Sequence, residues 1–183
     1  MTEKEKMISE SLYDPNDSEL SLARQQAQSL CQRYNATLNV EKELRWELLR
    51  QLLGHCDDSC MIQPPFYCDY GQHIHLGSKV YMNVNCVILD VCQVTIGEHT
   101  LLGPSVHIYT ATHPLDYKVR RRVESGRAVS IGSDVWLGGG VIVCPGVTIG
   151  ARTVIGAGSI VTRDIPDGVL AFGNPCRVMR QLD

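Results

Sequence analysis

The sequence predicts a mainly β fold in which short parallel strands are wound into a coil. Between Ile131 and Pro166 an aliphatic residue returns at every sixth position: Ile131, Leu137, Val143, Ile149, Ile155 and Val161. A second small or β-branched set keeps the same spacing: Val135, Val141, Val147, Thr153 and Ser159. Amphipathic helices repeat apolar residues three and four apart, and half-buried strands alternate them, so a period of six fits neither. It is typical of stacked repeats, with a glycine-rich β-sandwich as the alternative.

Glycine is the third observation behind this prediction. It directly follows four of the aliphatic residues, at Gly132, Gly138, Gly150 and Gly156. A chain that turns a corner needs glycine either for a positive φ or for the close approach of a second backbone. Both uses fit the pattern, and the sequence leaves the choice between them open.

Length and charge limit the classes of protein. At 183 residues, the chain can form one domain with a continuous core. Residues 1–110 hold 8 basic and 14 acidic side chains, whereas residues 111–183 hold 9 and 6. This mild positive charge in the C-terminal part suits a small phosphorylated ligand, whereas nucleic acid would need a more concentrated basic patch. The start MTEKEKMISE does not resemble a signal peptide, and no long apolar run follows, so we expect a cytoplasmic protein without membrane contact.

The eight cysteines are expected to be free thiols, because disulfides are rare in a reducing compartment. Cys56 and Cys60 lack the second pair of ligands that a zinc site needs, so no metal is expected. Cys86 and Cys92 lie six residues apart and are predicted to be small apolar residues at equivalent positions of the core.

Residues 1–60 are predicted to form a helical region that packs on the coil. Asp17 or Ser18 can cap a first helix. Its apolar face comprises Leu20, Ala23, Ala27, Leu30, Cys31 and Tyr34. A second helix is predicted from near Asn39 to a C-cap at Gly54. Two helices bury little surface alone, so we expect them to cover the first turn of the coil.

Residues 61–183 are predicted to form the coil itself. The segment Met61–Tyr70 is predicted to be an extended approach to it. Looser hexads are led by Leu76, Met82 and Ile88, and after a slip of two residues by Ile96, Leu102 and Ile108. The 23 residues from Ile108 to Ile131 are not a multiple of six, which predicts a protruding loop at 111–128. This loop contains His113.

Several stretches resemble the sugar O-acetyltransferases of the hexapeptide-repeat family, which act on galactosides, maltose and nodulation factors. They are NVNCVILDVCQVTIG, YTATHPLD, IGSDVWLGGGVIVCPGVTIG and GNPCRV. LYDPND, QRYN and CDYG are most similar to the maltose O-acetyltransferases. The resemblance implies a left-handed parallel β-helix and a homotrimer with active sites between subunits. It also implies transfer of acetyl from acetyl-CoA to a hydroxyl of a sugar such as maltose or glucose.

Three residues are catalytic candidates by this resemblance. The histidine of the THP motif, the general base of the family, is His113 here. An imidazole suits that task because it is largely neutral near pH 7 and can accept a hydroxyl proton. Asn83 matches an asparagine that contacts the acceptor. Glu124 matches an acidic residue that could orient the imidazole, or it is a solvated loop carboxylate; Val123 and Ala128 depart from the usual small residue and proline around it.

The other site candidates divide into two groups. Carboxylates and aromatic rings that could bind the sugar are Asp14, Asp17, Asp69, Asp90, Tyr81 and Trp136, the last two by stacking on the sugar or the cofactor. Positions similar to the CoA contacts of the family are Gly139, Ala157, Thr162, Arg163, Arg177 and Arg180, with the arginines as phosphate partners in a C-terminal tail. Gly139 stands where related enzymes often have serine.

Other functions are compatible with the same coil. Related acetyltransferases modify galactosides, xenobiotics, serine or amino sugars. A γ-carbonic anhydrase-like zinc enzyme would need converging histidines, and the usual HxxxxH pair is absent from the sequence. A non-catalytic scaffold would have no need of His113, Asn83 and the late arginines together.

Overall fold

The computed structural model describes residues 1–182, which form a parallel coil of strands with helices over one end. The helices are α1 (Glu3–Ile8), α2 (Ser18–Asn35), α3 (Lys42–Leu52) and α4 (Tyr117–Arg120). The strands are β1 (Met61–Ile62), β2 (Phe66–Cys68), β3 (Ile74–Leu76), β4 (Tyr81–Met82), β5 (Cys86–Leu89), β6 (Val94–Ile96), β7 (Leu101–Leu102), β8 (His107–Tyr109), β9 (Ala111–Thr112), β10 (Ser125–Gly126), β11 (Val129–Ile131), β12 (Trp136–Leu137), β13 (Ile142–Val143), β14 (Thr148–Ile149), β15 (Val154–Ile155), β16 (Ile160–Val161), β17 (Val169–Phe172) and β18 (Arg177–Gln181).

The strands of the coil make three sheets, one on each side. The seven-stranded sheet has the order β1-β4-β7-β12-β15-β17-β18, the five-stranded sheet β16-β13-β8-β5-β2, and the four-stranded sheet β14-β11-β6-β3. Pairing is parallel except between β17 and β18. Each turn of the chain therefore contributes one short strand to each side, as the period of six predicted.

The register confirms both interruptions of the repeat. Met82 pairs with Leu102, 20 positions later, whereas Leu137 pairs with Ile155, 18 positions later. The earlier turns thus hold the two extra residues that the slip predicted. Leu102 itself pairs with Leu137, so the long loop leaves the coil and rejoins it in register.

Aliphatic side chains fill the interior of the coil. The six that lead the regular hexads are all buried: Ile131, Leu137, Val143, Ile149, Ile155 and Val161. The smaller set at Val135, Val141 and Val147 joins them in one continuous core. Each apolar residue stacks on its equivalent in the next turn, which is why the period is so strict.

The glycines after these residues provide space rather than a positive φ. A Cβ on Gly138 would lie 2.6 Å from the backbone nitrogen of Ala157 in the next turn, closer than real Cβ atoms come. The positive φ occurs two residues later, at Gly140 (φ 70°) and at the equivalent Asp134 (φ 57°). Close approach is therefore the reason for glycine directly after the aliphatic residue.

Helices α2 and α3 cover the first turn of the coil. Leu48 and Leu52 of α3 share a buried cluster with Ile62 and Phe66. Asp17 caps α2, as predicted, by accepting from the backbone amide of Glu19 at 3.0 Å. The apolar ends of the stacked strands are thereby shielded.

Three predicted boundaries in this region were wrong. Helix α3 begins at Lys42 and ends at Leu52 rather than at a Gly54 cap. Gly54 instead lies against the chain at Gln72, whose carbonyl oxygen a Cβ would meet at 2.2 Å. The segment Met61–Tyr70 is not an approach, because its strands β1 and β2 already belong to the first turn.

The N-terminal segment forms a second small core that the sequence did not suggest. Helix α1 starts with a capping box between Thr2 and Glu5. Its buried Met7 packs with Tyr13, Leu20, Tyr70, Val91 and Cys92. Cys92 therefore lies outside the coil interior, and only Cys86 of the predicted pair is in it. All eight cysteines are free.

The loop at 111–128 projects from the coil as predicted. It is built from the antiparallel pair β9 and β10, with the short helix α4 between them. Ser125 pairs with Thr112, which brings the two ends of the loop together beside His113. Among residues 1–182, no helix has the length and apolar composition needed to cross a bilayer.

Candidate active site

His113 directly follows β9 and is half exposed, with 51% of its side-chain surface accessible. It lies in the wall between two clefts. The first, of about 370 Å³, is lined by Asp69, Arg24 and Glu124 and is called here the Asp69 cleft. The second, of about 490 Å³, is lined by Pro145 and is called the Pro145 cleft. An imidazole in this position is accessible from both sides.

Glu124 is the charged neighbour of this imidazole. Its Oε2 atom lies 3.8 Å from Nε2 of His113, and only 17% of its side chain is exposed. Its other oxygen, Oε1, accepts a hydrogen bond from the phenol of Tyr13, which is fully buried. Burial, followed by the hydrogen bond to Glu124, raises the pKa of Tyr13 far above its ordinary value. The phenol therefore remains a proton donor to the carboxylate at any physiological pH.

The backbone around Tyr13 fastens the end of the loop to the N-terminal segment. The amide of Tyr13 donates to the Glu124 carbonyl at 3.0 Å, and the amide of Glu124 donates to the Tyr13 carbonyl at 3.1 Å. A third bond runs from the amide of Ala128 to Oε1 of Glu10, at 2.9 Å. The loop that carries His113 and Glu124 is thus held at two points by residues 10–13.

Asp69 and Arg24 give the Asp69 cleft its polar character. The pKa of Asp69 is raised to about 6, mainly by burial and further by the charge of Glu124, while Arg24 opposes the shift. The guanidinium of Arg24 donates to the hydroxyl of Tyr70 and to the carbonyl of Pro15, both at 2.6 Å. A carboxylate that accepts and a guanidinium that donates suit a ligand rich in hydroxyl groups.

Asp90 was predicted to contact the sugar, and the structure places it beneath the cleft instead. Its side chain is fully buried. One oxygen accepts from the amides of Asp69 and Tyr70 at 3.0 and 2.9 Å, and the other accepts from the amide of His73 at 3.3 Å. Burial raises its pKa to about 7 despite these bonds. Asp90 therefore shapes the turn that presents Asp69.

The carboxylates of Asp14 and Asp17 also accept hydrogen bonds from nearby backbone amides. Asp17 is the cap of α2, so its carboxylate is engaged by backbone amides. Asp14 accepts from the amide of Asn16 at 2.9 Å and precedes Pro15, which lines the Asp69 cleft. Of the two, only Asp14 is next to the site.

Tyr81, Asn83 and Trp136 lie on another side of the same chain. Tyr81 and Trp136 belong to β4 and β12 of the seven-stranded sheet, and Asn83 follows β4. The Asn83 side chain accepts from the amide of Val84 at 2.8 Å. None of the three lines either cleft around His113 within one chain.

The predicted cofactor residues occupy three positions. Gly139 and Ala157 lie in stacked turns after β12 and β15, where Gly158 donates to the Gly139 carbonyl at 2.9 Å. Thr162 and Arg163 follow β16, at a different corner of the coil. Arg177 and Arg180 are exposed on the edge strand β18. One chain therefore does not bring all six together.

Tyr13 and Arg24 were not predicted as site residues, although the position of Arg24 in the sequence is unusual. It falls four residues after Leu20 and seven before Cys31, on the apolar face of α2, where a charged side chain needs a partner. No comparable signal marks Tyr13, whose partner Glu124 is 111 positions away. Among residues 1–182, no three histidine, cysteine or carboxylate side chains converge as metal ligands would.

Comparison with known proteins identifies the family. Residues 6–57 match the maltose acetyltransferase hexapeptide capping motif, and residues 128–163 match six repeats of the bacterial transferase hexapeptide. A galactoside O-acetyltransferase of Lactococcus lactis is 44% identical over 176 residues, which cover 95% of this chain and 85% of the relative.

Solved structures agree over the full length. The crystal structure of a maltose O-acetyltransferase from Clostridium difficile 630 superposes with a TM-score of 0.98 at 47% identity, covering 100% of this chain and 98% of that one. A hexapeptide-repeat acetyltransferase from Vibrio cholerae, complexed with acetyl coenzyme A, gives 0.92 at 40% identity and covers 100% of both chains. The left-handed parallel β-helix is confirmed, and the chain belongs to the hexapeptide-repeat acetyltransferase family of acyltransferases.

Proposed function

We propose that this protein is an acetyl-CoA-dependent O-acetyltransferase that acts on a sugar hydroxyl, with His113 as general base. The observation that carries the proposal is the position of the imidazole between two clefts, with the Glu124 carboxylate behind it. A base between two clefts can meet an acceptor from one side and an acyl donor from the other. The relatives named above are acetyltransferases of galactosides and maltose, which supports a sugar as the acceptor.

The chemistry assigned to His113 is a proton transfer in two directions. The acceptor oxygen attacks the thioester carbonyl carbon while the imidazole takes the hydroxyl proton, which forms the new carbon–oxygen bond. When the carbon–sulfur bond breaks, the imidazolium returns that proton to the departing sulfur. Between the two transfers His113 is positively charged, and the Glu124 carboxylate, with Oε2 3.8 Å from Nε2, lies where it attracts that charge.

The course of the acyl donor follows one corner of the coil. Strands β8, β13 and β16 are neighbours in the five-stranded sheet. The chain leaves β8 toward His113, leaves β13 at Pro145, and leaves β16 at Thr162 and Arg163. Adjacent strands are about 4.8 Å apart, so this corner extends from the Pro145 cleft to a cationic side chain within two turns. A pantetheine arm with its thioester near His113 and its phosphates near Arg163 fits this path.

A neighbouring subunit is part of the proposal, because Asn83, Gly139 and Ala157 do not line either cleft around His113 in one chain. The outer face of the seven-stranded sheet carries an apolar row in direct register: Met61, Tyr81, Leu101, Trp136 and Val154. Met61 and Trp136 are each 55% exposed. Parallel sheets are normally covered on both sides, and an apolar row of this kind indicates a contact surface. We assign it to a homotrimer in which the neighbour brings Asn83 and the small residues to the site.

The acceptor is assigned to the Asp69 cleft. The cleft holds a carboxylate, Asp69, and a guanidinium, Arg24, which can bind vicinal hydroxyl groups, and neither group is needed for the thioester. The free thiols suit the cytosol, where we place the enzyme.

The proposal is tested by incubating the purified protein with acetyl-CoA and a panel of sugars, including maltose, glucose and galactosides. Released thiol is recorded against a control without sugar, and the product is examined by mass spectrometry. We expect sugar-dependent thiol release with one acetyl group added to the sugar. Thiol release that is equal with and without every sugar, while CoA still binds, would contradict a sugar acceptor.

A further inference from the structure

We propose that Tyr13 is a positioning residue for acetyl transfer, whose phenol holds the Glu124 carboxylate in place against His113. The proposal rests on the function assigned above and adds a residue to it. It concerns one atom, the phenol oxygen, rather than the aromatic ring.

The geometry divides the two oxygens of Glu124 between two partners. Oε1 accepts from the Tyr13 hydroxyl, and Oε2 faces Nε2 of His113 at 3.8 Å. A carboxylate with one oxygen fixed can no longer rotate freely about its last side-chain bond. Its second oxygen is therefore kept toward the imidazole, in the direction where positive charge develops during the reaction.

The phenol has no other role in the described structure. In residues 1–182 its oxygen makes one hydrogen bond, to Glu124. The ring fills the N-terminal core beside Met7 and Leu20, a task that phenylalanine would perform equally well. A buried hydroxyl costs free energy unless it is hydrogen-bonded, so its presence here needs a specific reason.

Attachment of the loop does not require the phenol. The two backbone bonds between Tyr13 and Glu124, at 3.0 and 3.1 Å, remain when the hydroxyl is removed. The bond between Ala128 and Glu10 also remains. Tyr13→Phe is therefore expected to keep the loop and the fold and to free only the carboxylate.

The chain offers a matched control in Tyr34. This tyrosine is also buried, at 1% exposure, and its hydroxyl also makes a hydrogen bond, to the carbonyl of Ile62. It lies between α2 and the first turn of the coil and lines neither cleft around His113. Tyr34→Phe thus removes a comparable buried hydroxyl without touching the site.

The experiment compares wild type, Tyr13→Phe, Tyr34→Phe, Glu124→Gln and the double variant Tyr13→Phe/Glu124→Gln. Steady-state thiol release gives kcat and the KM for acetyl-CoA and for the best acceptor sugar. General acid–base catalysis contributes about 10²- to 10⁴-fold, and a residue that acts on the base through a second residue should account for a smaller part, about tenfold. We expect Tyr13→Phe to lower kcat about tenfold with KM for acetyl-CoA unchanged, and Tyr34→Phe to leave kcat unchanged.

The double variant decides whether Tyr13 acts through Glu124. If it does, adding Tyr13→Phe to Glu124→Gln lowers kcat no further, because the carboxylate that Tyr13 orients is already absent. A further loss of about tenfold, or a Tyr13→Phe enzyme with wild-type kcat, overturns the proposal. An equal loss of kcat in Tyr34→Phe also overturns it, since the effect would then be one of stability. Failure of the wild type to acetylate any sugar would contradict the proposed function instead.

Discussion

The carboxylate of Glu124 faces His113 across 3.8 Å. The two residues belong to opposite ends of the protruding loop, and the pairing of β9 with β10 brings those ends together. The loop thus does more than project from the coil: it places a carboxylate beside His113, which lines both clefts.

Loss of the Glu124 carboxylate should destabilise the protein through Tyr13. Glu124→Ala leaves a buried phenol without an acceptor, which costs about 1–3 kcal/mol of unfolding free energy. Replacing both partners, in Tyr13→Phe/Glu124→Ala, should cost less than Glu124→Ala alone, because no unpaired hydroxyl remains. Urea unfolding at one fixed protomer concentration measures this. Glu98→Ala, at an exposed site, is the control. If the double variant were less stable than Glu124→Ala, the lost hydrogen bond could not be the cause of the destabilisation.

The binding of the acceptor should depend on pH through Asp69. Its pKa of about 6 means that the carboxyl becomes protonated as the pH falls through that value. The charge of Glu124 raises this pKa further and that of Arg24 lowers it, and both residues line the cleft together with Asp69. A neutral carboxyl accepts hydrogen bonds less well, so the acceptor KM should rise below about pH 6.

Asp69→Asn should raise the acceptor KM at neutral pH, while KM for acetyl-CoA stays the same. In this variant the acceptor KM should no longer increase when the pH falls below about 6. The raised pKa of Asp69 also makes the free energy of unfolding depend on pH. A carboxyl whose pKa is raised on folding stabilises the folded state at low pH, and this contribution is lost as the pH rises from about 4 to above 6. An acceptor KM that keeps its pH dependence in Asp69→Asn would rule out Asp69 as the titrating group.

Binding of acetyl-CoA should depend on the exposed arginines Arg163, Arg177 and Arg180. Alanine at each position should raise the Kd for CoA about fivefold to tenfold, as expected for one lost charge-assisted contact of roughly 1 to 1.5 kcal/mol, with little change in Tm. Arg152→Ala is a matched control, because Arg152 is also exposed but pairs with Asp167 at 3.6 Å. Calorimetric titration with CoA measures the Kd. Unchanged affinity in all three variants would remove the phosphate assignment.

Assembly should depend on the apolar row of the seven-stranded sheet. Trp136 is the fourth of its five members and pairs with Leu101 on one side and Val154 on the other. Trp136→Glu places a charge in the proposed contact and should convert the proposed trimer to monomer. Activity should then be lost, because the proposal has Asn83 of a neighbouring subunit complete the site at His113. Sedimentation measures the mass. Val40→Glu, on the connection between α2 and α3, should not change it; a trimer that survives Trp136→Glu would show that the row is not the interface.

The coil was predictable from the sequence because its signal is local. An aliphatic residue at every sixth position reports a turn that closes within about 18 residues, and each turn repeats the same constraint. The two-residue slip and the loop were equally visible, since each breaks a strict period. The short helix α1 was not predicted, even though Thr2 and Glu5 have the spacing of a capping box.

The site was only partly predictable because its contacts join distant parts of the chain. Tyr13 and Glu124 are brought together by packing of the N-terminal segment on the loop, and no local pattern in either segment encodes that contact. Asp90 illustrates the opposite error. A carboxylate in a loop is usually exposed, yet three backbone amides of the Asp69–His73 turn surround this one and explain its burial.

The most direct test of the account is the rate of sugar-dependent thiol release by His113→Ala, measured together with its Kd for CoA. His99→Ala serves as the control, because His99 is also half exposed and lies 3.8 Å from a carboxylate, that of Asp134, but away from both clefts. The account predicts that His113→Ala loses at least about 100-fold in kcat while the Kd for CoA, the oligomeric mass and Tm remain those of the wild type, and that His99→Ala keeps full activity. A His113→Ala enzyme that releases thiol at the wild-type rate would contradict the assignment of His113 as the base.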